Sequence, residues 1–207
     1  MAVCYIAGAA PEAAAIRPAP GDFLIAADGG LAHLARWGLR PDLVIGDFDS
    51  LETAPNGIPC ERFPREKDDT DLALALDMAS KRGYTHIMIT GAWGGRPDHA
   101  VGNLQLLAKA ARRGFFAQML CDGYTATAIT GGNALRLRGH GIVSVFAYGG
   151  RARGVTIRGL KYPLESAVLE DDTPLGVSNV LAGGGEITLG TGTLLIFFQE
   201  DIKCAIA

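Results

Sequence analysis

Short apolar runs alternate with helix-patterned stretches through the first half of the chain. Val3 to Ala7, Phe23 to Ala27, Leu43 to Ile45, His86 to Thr90 and Phe115 to Leu120 are too short for helices and read as buried strands. Leu31 to Trp37, closed by Gly38, reads as a short helix. Leu72, Ala75, Leu76 and Ala79 recur at helical spacing, so Thr70 to Lys81 reads as a second helix, ended by Gly83. Pro97 to Arg113 reads as a third, with proline in the first turn and Gly114 just past the end. Ala9 to Pro20, rich in alanine and proline, reads as a surface loop or irregular helix. This alternation predicts a mostly parallel sheet with helices on both faces, and such sheets bind ligands beyond the carboxyl ends of their strands.

The texture changes after Asp122. Ile129 to Leu137, Ile142 to Tyr148, Val155 to Arg158, Glu186 to Leu189 and Leu194 to Phe198 are β-prone, short and separated by glycines. They predict a small antiparallel β sandwich or barrel. The expected organisation is therefore an α/β/α domain over residues 1–123 and a β domain over residues 124–207. Phe146, Tyr148, Phe197 and Phe198 read as core of the β domain, and Ser178-Asn179, by spacing alone, as an ordinary turn.

Composition narrows the function. The chain has 207 residues, is 48% hydrophobic and carries a formal net charge of -3, so no basic surface for nucleic acid is expected. No basic segment precedes an apolar run at the start, and no apolar run approaches the ~20 residues that cross a bilayer. Neither a signal peptide nor a membrane span is expected. Cys4, Cys60, Cys121 and Cys204 are far apart and form no C-x-x-C pair, which argues against zinc and for a reducing cytoplasm.

The polar residues at the predicted strand ends suggest chemistry. Asp28-Gly29-Gly30 follows the second strand, and Asp47 and Asp49 follow the third. In an extended segment residues two apart point the same way, so both carboxylates can meet one cation. Asp71, at the start of the second helix, can be a third ligand; a few carboxylates with substrate phosphates are the usual way magnesium is held. Gly94-Gly95 offers backbone for close approach and Arg96 a guanidinium for phosphate, while Pro97-Asp98-His99 opens a helix whose N–H groups attract anions. Each feature also has a plainer reading. Asp49 and Asp69 can cap turns or helices, Asp98 can offset a helix dipole, and Arg96 can be a surface residue. His33, His86 and His140 have no evident partners and read as structural or exposed. The P-loop, nucleophile-elbow and H-E-x-x-H patterns do not occur.

Six segments taken in order resemble the thiamine pyrophosphokinase family. They are ADGG at Ala27 to Gly30, PDLVIGDFDS at Pro41 to Ser50, EKDDTD at Glu66 to Asp71, TGAWGGRPDHAVGNL at Thr90 to Leu104, GLKYPLE at Gly159 to Glu165 and GVSN at Gly176 to Asn179. The resemblance implies an N-terminal α/β domain, a C-terminal β domain, and a homodimer with active sites between subunits. It implies transfer of the pyrophosphoryl group of ATP to thiamine, giving AMP and thiamine diphosphate, with Mg2+. By motif, Asp47, Asp49 and Asp71 would bind magnesium and polyphosphate. Asp28, Gly29, Gly30, Ser50, Lys67, Thr70, Arg96, Asp98 and His99 would line the ATP side, with Arg96 and Asp98 also in the catalytic set. Asp71 and Asp98 are both open as the acceptor of the hydroxyl proton. Ser178, Asn179 and Tyr162 would serve thiamine, Tyr162 standing where eukaryotic members tend to have tryptophan.

Two other readings compete. A diphosphokinase for another hydroxymethyl compound, such as a pterin, would share the phosphate side, but GLKYPLE and GVSN favour thiamine. A binding regulator without catalysis would show a broken acidic set, whereas Asp47, Asp49 and Asp71 are all present.

Overall fold

The computed structural model describes residues 2–46, 57–63 and 69–207. It is a mixed α/β protein, with thirteen strands and three helices among the described residues. The chain divides into two compact units, one of residues 1–106 with 119–122, the other of residues 107–118 with 123–207.

In the first unit β1 (Cys4–Ala7), β2 (Phe23–Ala27), β3 (Leu43–Gly46), the short β4 (Cys60–Arg62) and β5 (His86–Thr90) pair in the order β5-β1-β2-β3-β4, all parallel. β4 has no counterpart in the sequence reading, because three residues carry too little period to stand out. Aspartates hold the entrances of two strands: Asp22 accepts from Val3 N at 2.8 Å and Asp42 from Leu24 N at 2.8 Å.

Helix α1 (Gly30–Arg36) packs on the face carrying Leu24, Ala26 and Val44, where Leu34 is fully buried. Helix α2 (Asp71–Lys81) packs across β1, β2 and β3. The chain steps outward from β2 to β3 through α1 and back from β4 to β5 through α2. Right-handed crossovers in opposite directions put the two helices on opposite faces. That accounts for the full burial of Ile6, Ile25 and Ile45, which alternate away from α1. Leu72, Ala75, Leu76 and Ala79 form the buried stripe of α2, as their spacing predicts. Helix α3 (Pro97–Arg112) follows β5.

The second unit is antiparallel in every strand pair whose register is given. β6 (Phe116–Cys121), of which residues 119–121 are counted with the first unit, precedes β7 (Tyr124–Thr130), β8 (Ala134–Ala147), β9 (Ala152–Leu160), β10 (Leu164–Leu169), β11 (Gly176–Thr188), β12 (Thr193–Gln199) and β13 (Lys203–Ile206). The pairs run β10-β9-β11-β8-β12-β7, and β13 adds to β8.

Two strand expectations need correction. Ile129 to Leu137 is not one strand, because Gly131, Gly132 and Asn133 turn the chain, with Asn133 N donating to Thr130 O at 3.2 Å. The part after that turn joins Ile142 to Ala147 as the single long β8. Gly139 and Gly141 sit inside it at φ 134° and 146°, so they bend the strand rather than end it.

The aromatic core expectation also changes. Val143, Val145, Leu194, Ile196 and Phe198 are buried in one cluster. Phe146, Tyr148 and Phe197 alternate to the opposite face and are half-buried, with Phe146 and Phe197 meeting edge-on at 6.0 Å. Of the four aromatics only Phe198 belongs to that core.

Candidate active site

The site begins with three parallel strands ending together. β1 runs into Gly8, β5 into Gly91 and β2 into Asp28, because their registers pair Ala7 with both Thr90 and Ala26. Gly8 N donates to Thr90 O at 2.8 Å and Ala10 N to Gly91 O at 2.8 Å, which zips the two outgoing loops together. A side chain on either Gly8 or Gly91 would run into the other's carbonyl. Gly30 seats the first turn of α1 so closely on β1 that a Cβ there would collide with Ala7 O.

Beyond these ends lies a cavity of about 510 Å³. Residues 8–11 form one wall, Ala27 and Asp28 the floor beside it, residues 69–72 another wall, and residues 91–92, 94–96, His99 and Asn103 the rest. Four sequence segments far apart in the chain therefore meet at one place.

Each polar group arrives with a local reason. Asp28 turns the chain at φ 50°, a left-handed conformation that aspartate tolerates, and its N–H donates to Ile45 O at 2.7 Å. Thr70 is the N-cap of α2, its Oγ1 accepting from Ala73 N at 3.2 Å. That bond uses a lone pair and leaves the hydroxyl proton for another partner. Asp71 follows in the first turn.

Arg96 and Asp98 form a two-point pair. Arg96 Nε donates to Asp98 Oδ1 at 3.2 Å and Nη2 to Oδ2 at 2.5 Å. The hydrogen bond from Arg96 is the main reason the Asp98 carboxyl is held down to about 2. The geometry spends one edge of the guanidinium and leaves Nη1 for a second anion. On α3, His99 and Asn103 stand one turn apart and both line the cavity, with Asn103 Nδ2 donating to Ala92 O at 2.7 Å.

Of the residues singled out from sequence, Asp28, Thr70, Asp71, Arg96 and His99 line this cavity. Gly29 and Gly30 form the turn behind Asp28. Asp98 is not a lining residue and acts on Arg96. Asp47, Asp49, Ser50 and Lys67 lie outside the described residues.

Tyr162, Ser178 and Asn179 belong to the second unit. Tyr162 is 57% exposed. Ser178-Asn179 is not a turn between strands but an irregularity within β11, where the register against β8 shifts between Gly176 and Asn179 and Ser178 adopts φ 60°. Asn179 is buried and spends its amide on backbone.

Sequence reading missed residues 8–11, Gly91, Ala92 and Asn103. The signal was present for part of them: Gly8 and Gly91 each follow a short apolar run, as Asp28 does. Asn103 lies in the TGAWGGRPDHAVGNL segment but was not singled out, because an asparagine inside a helix gives no sign of what it faces.

Asp28, Asp69 and Asp71 bring carboxylates to the cavity, although among the described residues no group of three or more His, Cys, Asp or Glu side chains is placed to hold a metal ion. Magnesium commonly takes only one or two protein carboxylates, with water and phosphate oxygens completing its shell. The hard-oxygen donors at the cavity fit that ion.

A family model described as "Thiamin pyrophosphokinase, catalytic domain" matches residues 19–118, and one described as "Thiamin pyrophosphokinase, vitamin B1 binding domain" matches residues 135–194. The thiamine pyrophosphokinase of Bacillus subtilis (strain 168) is 29% identical over 189 residues, covering 86% of this chain and 87% of the relative. A crystal structure of thiamine pyrophosphokinase from Bacillus subtilis superposes with a TM-score of 0.86 at 26% identity, over 97% of this chain and 100% of that one. The thiamin pyrophosphokinase structure from Geobacillus thermodenitrificans gives 0.84 at 28% identity, over 96% and 98%.

Proposed function

The chain belongs to the thiamin pyrophosphokinase family, and from that premise we infer that it moves the pyrophosphoryl group of ATP onto the hydroxyl of thiamine, forming thiamine diphosphate and AMP. The observation that carries this reading is the cavity itself. It collects Asp28, Asp71, Arg96 and His99, from three of the family-like motifs, at the carboxyl ends of parallel strands.

The reading assigns ATP to this cavity. Arg96, oriented by Asp98, takes up charge on the transferred group through its remaining N–H groups. Asp71, with Asp47 and Asp49, would hold Mg2+. That ion, when bound, supplies positive charge to the polyphosphate oxygens. Phosphoryl-type transfer depends on positioning and charge neutralisation rather than covalent help. The thiamine hydroxyl attacks the β-phosphorus in line and AMP leaves. A carboxyl held near 2 is a poor acceptor for the hydroxyl proton, which argues against Asp98 in that role.

The reading also takes residues 1–123 as the ATP domain and residues 124–207 as the thiamine domain, which the placing of the two family models supports. Tyr162, Ser178 and Asn179 serve thiamine in a homodimer with sites built between subunits. Tyr162, Val168, Leu175 and Val177 are exposed apolar residues of the second unit. A cytoplasmic setting fits four cysteines that form no disulfide, and no helix among the described residues is long and apolar enough to cross a membrane.

The test is a mass-resolved product assay with ATP, magnesium and thiamine, with and without chelator. AMP and thiamine diphosphate appearing together, and only with metal, is the expected result. ADP with thiamine monophosphate would mean attack at the γ-phosphorus and overturn the reading.

A further inference from the structure

We propose that His33 is a positioning residue for ATP binding, fixing the Ala9–Pro11 wall of the cavity through the Ala10 carbonyl. The proposal rests on the reading of this cavity as the ATP site.

His33 lies in α1 and does not itself line the cavity. Its Nε2 is 2.8 Å from Ala10 O. A carbonyl can only accept, so Nε2 carries the proton and Nδ1 is the lone-pair nitrogen. That nitrogen is filled in turn by Arg36 Nη2 at 3.0 Å, and the ring stacks on Trp37 with centroids 5.8 Å apart. Tautomer and orientation of the ring are thus set by Ala10 O, by Arg36 of the same helix and by Trp37 at its C-cap.

The residue it holds is already half fixed. Ala10 N donates to Gly91 O at 2.8 Å, so the Ala10 residue is gripped from β5 on its N–H side and from α1 on its carbonyl side. Pro11, which follows and lines the cavity, has no N–H with which to anchor itself. The wall consequently depends on the two ends of Ala10. An irregular segment held on one side only would have to be ordered when the ligand arrives, and that ordering subtracts from affinity. The chemical step takes place at the phosphate groups and would not feel the loss.

The experiment compares wild type with His33→Ala, His33→Gln and His33→Asn. Glutamine places its amide nitrogen near the position of imidazole Nε2, while asparagine reaches only the position of Nδ1. Equilibrium dialysis with ATP and magnesium, steady-state kinetics, and hydrogen exchange at the Ala10 amide are read on the same preparations. His33→Ala and His33→Asn are expected to weaken ATP about five- to tenfold, the worth of one hydrogen bond. They should also speed exchange at Ala10 and leave kcat and the thiamine KM near wild type, with His33→Gln restoring both ATP affinity and protection. Unchanged ATP affinity in His33→Ala overturns the proposal. So does equal weakening of ATP and thiamine, which marks a general loss of fold, and so does a glutamine variant no better than alanine. A wild type that binds ATP yet makes no AMP or thiamine diphosphate would sink the pyrophosphokinase reading while the titration still decides the role of His33. A wild type that binds no ATP overturns the proposal directly.

Discussion

The Asn179 carboxamide closes around the backbone of Tyr162. Its Oδ1 accepts from Tyr162 N at 2.9 Å and its Nδ2 donates to Tyr162 O at 2.7 Å. The same Oδ1 accepts from Val180 N at 2.9 Å, and Asn179 is only 5% exposed. A buried amide engaged in this way presents an exposed tyrosine ring, with Lys161 Nζ 5.2 Å from the ring centroid.

Asn179→Ala should therefore act on thiamine through Tyr162. Loss of a buried, satisfied amide should cost about 1–3 kcal/mol of stability, read as a denaturant midpoint. The thiamine KM should rise much more than the ATP KM, as it should in Tyr162→Ala and in a Ser178→Ala, Asn179→Ala double variant. Equal rises for both substrates would make the segment purely structural.

Asp98 should matter as an anion and not as a base. Its carboxyl is depressed to about 2 by Arg96, so the pair is intact above the ordinary carboxylate range and is lost only as pH falls through about 2. Asp98→Asn should lower kcat/KM for ATP without moving the acid limb of the pH profile between about pH 5 and 8, where a group near 2 does not titrate. An acid limb that disappears in this variant would make Asp98 the proton acceptor after all.

Arg96→Lys should not rescue function. Lysine keeps the charge but cannot bind Asp98 edge-on while offering a second anion a planar fork. A fall in kcat on the order of tenfold or more is expected from single-turnover kinetics with saturating ATP.

Loss of a carboxylate assigned to magnesium should strike turnover. Asp71→Asn, and likewise Asp49→Ala, should lower kcat by about a hundredfold or more, on the order of 3 kcal/mol of barrier. Raising magnesium should recover part of the activity if affinity for the ion is what was lost. Near-wild-type turnover would remove the residue from the metal set.

Gly30→Ala should unfold the site from below. The added methyl would meet Ala7 O, a backbone atom that cannot swing aside, so α1 must lift from β1. A loss of about 1–3 kcal/mol is expected in urea melts, with weaker ATP binding in the surviving folded protein.

Much of the local architecture was legible in the chain. The stripe Leu72, Ala75, Leu76 and Ala79, the proline that opens α3 and the apolar runs before Gly8, Asp28 and Gly91 act over a few residues, through period and turn preference. Where sequence reading failed, a neighbour distant in the chain had decided the matter. Gly139 and Gly141 look like strand ends, but β11 pairs straight past them along β8. Phe146 and Phe197 look like core, but the register of β8 with β12 buries Val145 and Ile196 instead.

The candidate site divides along the same line. The sequence by itself determined which residue types stand at the strand ends and helix starts, and six ordered motifs were enough to place the chain in its family. Tertiary structure alone decided which of those ends converge, that Ala10 is held between Gly91 and His33, that Asn103 reaches Ala92, and that Asn179 clasps Tyr162. Local propensity is an energy of neighbours in the chain. Convergence is set by parallel register and by close backbone approach between loops some eighty residues apart, Gly8 and Gly91, where room for a side chain is absent.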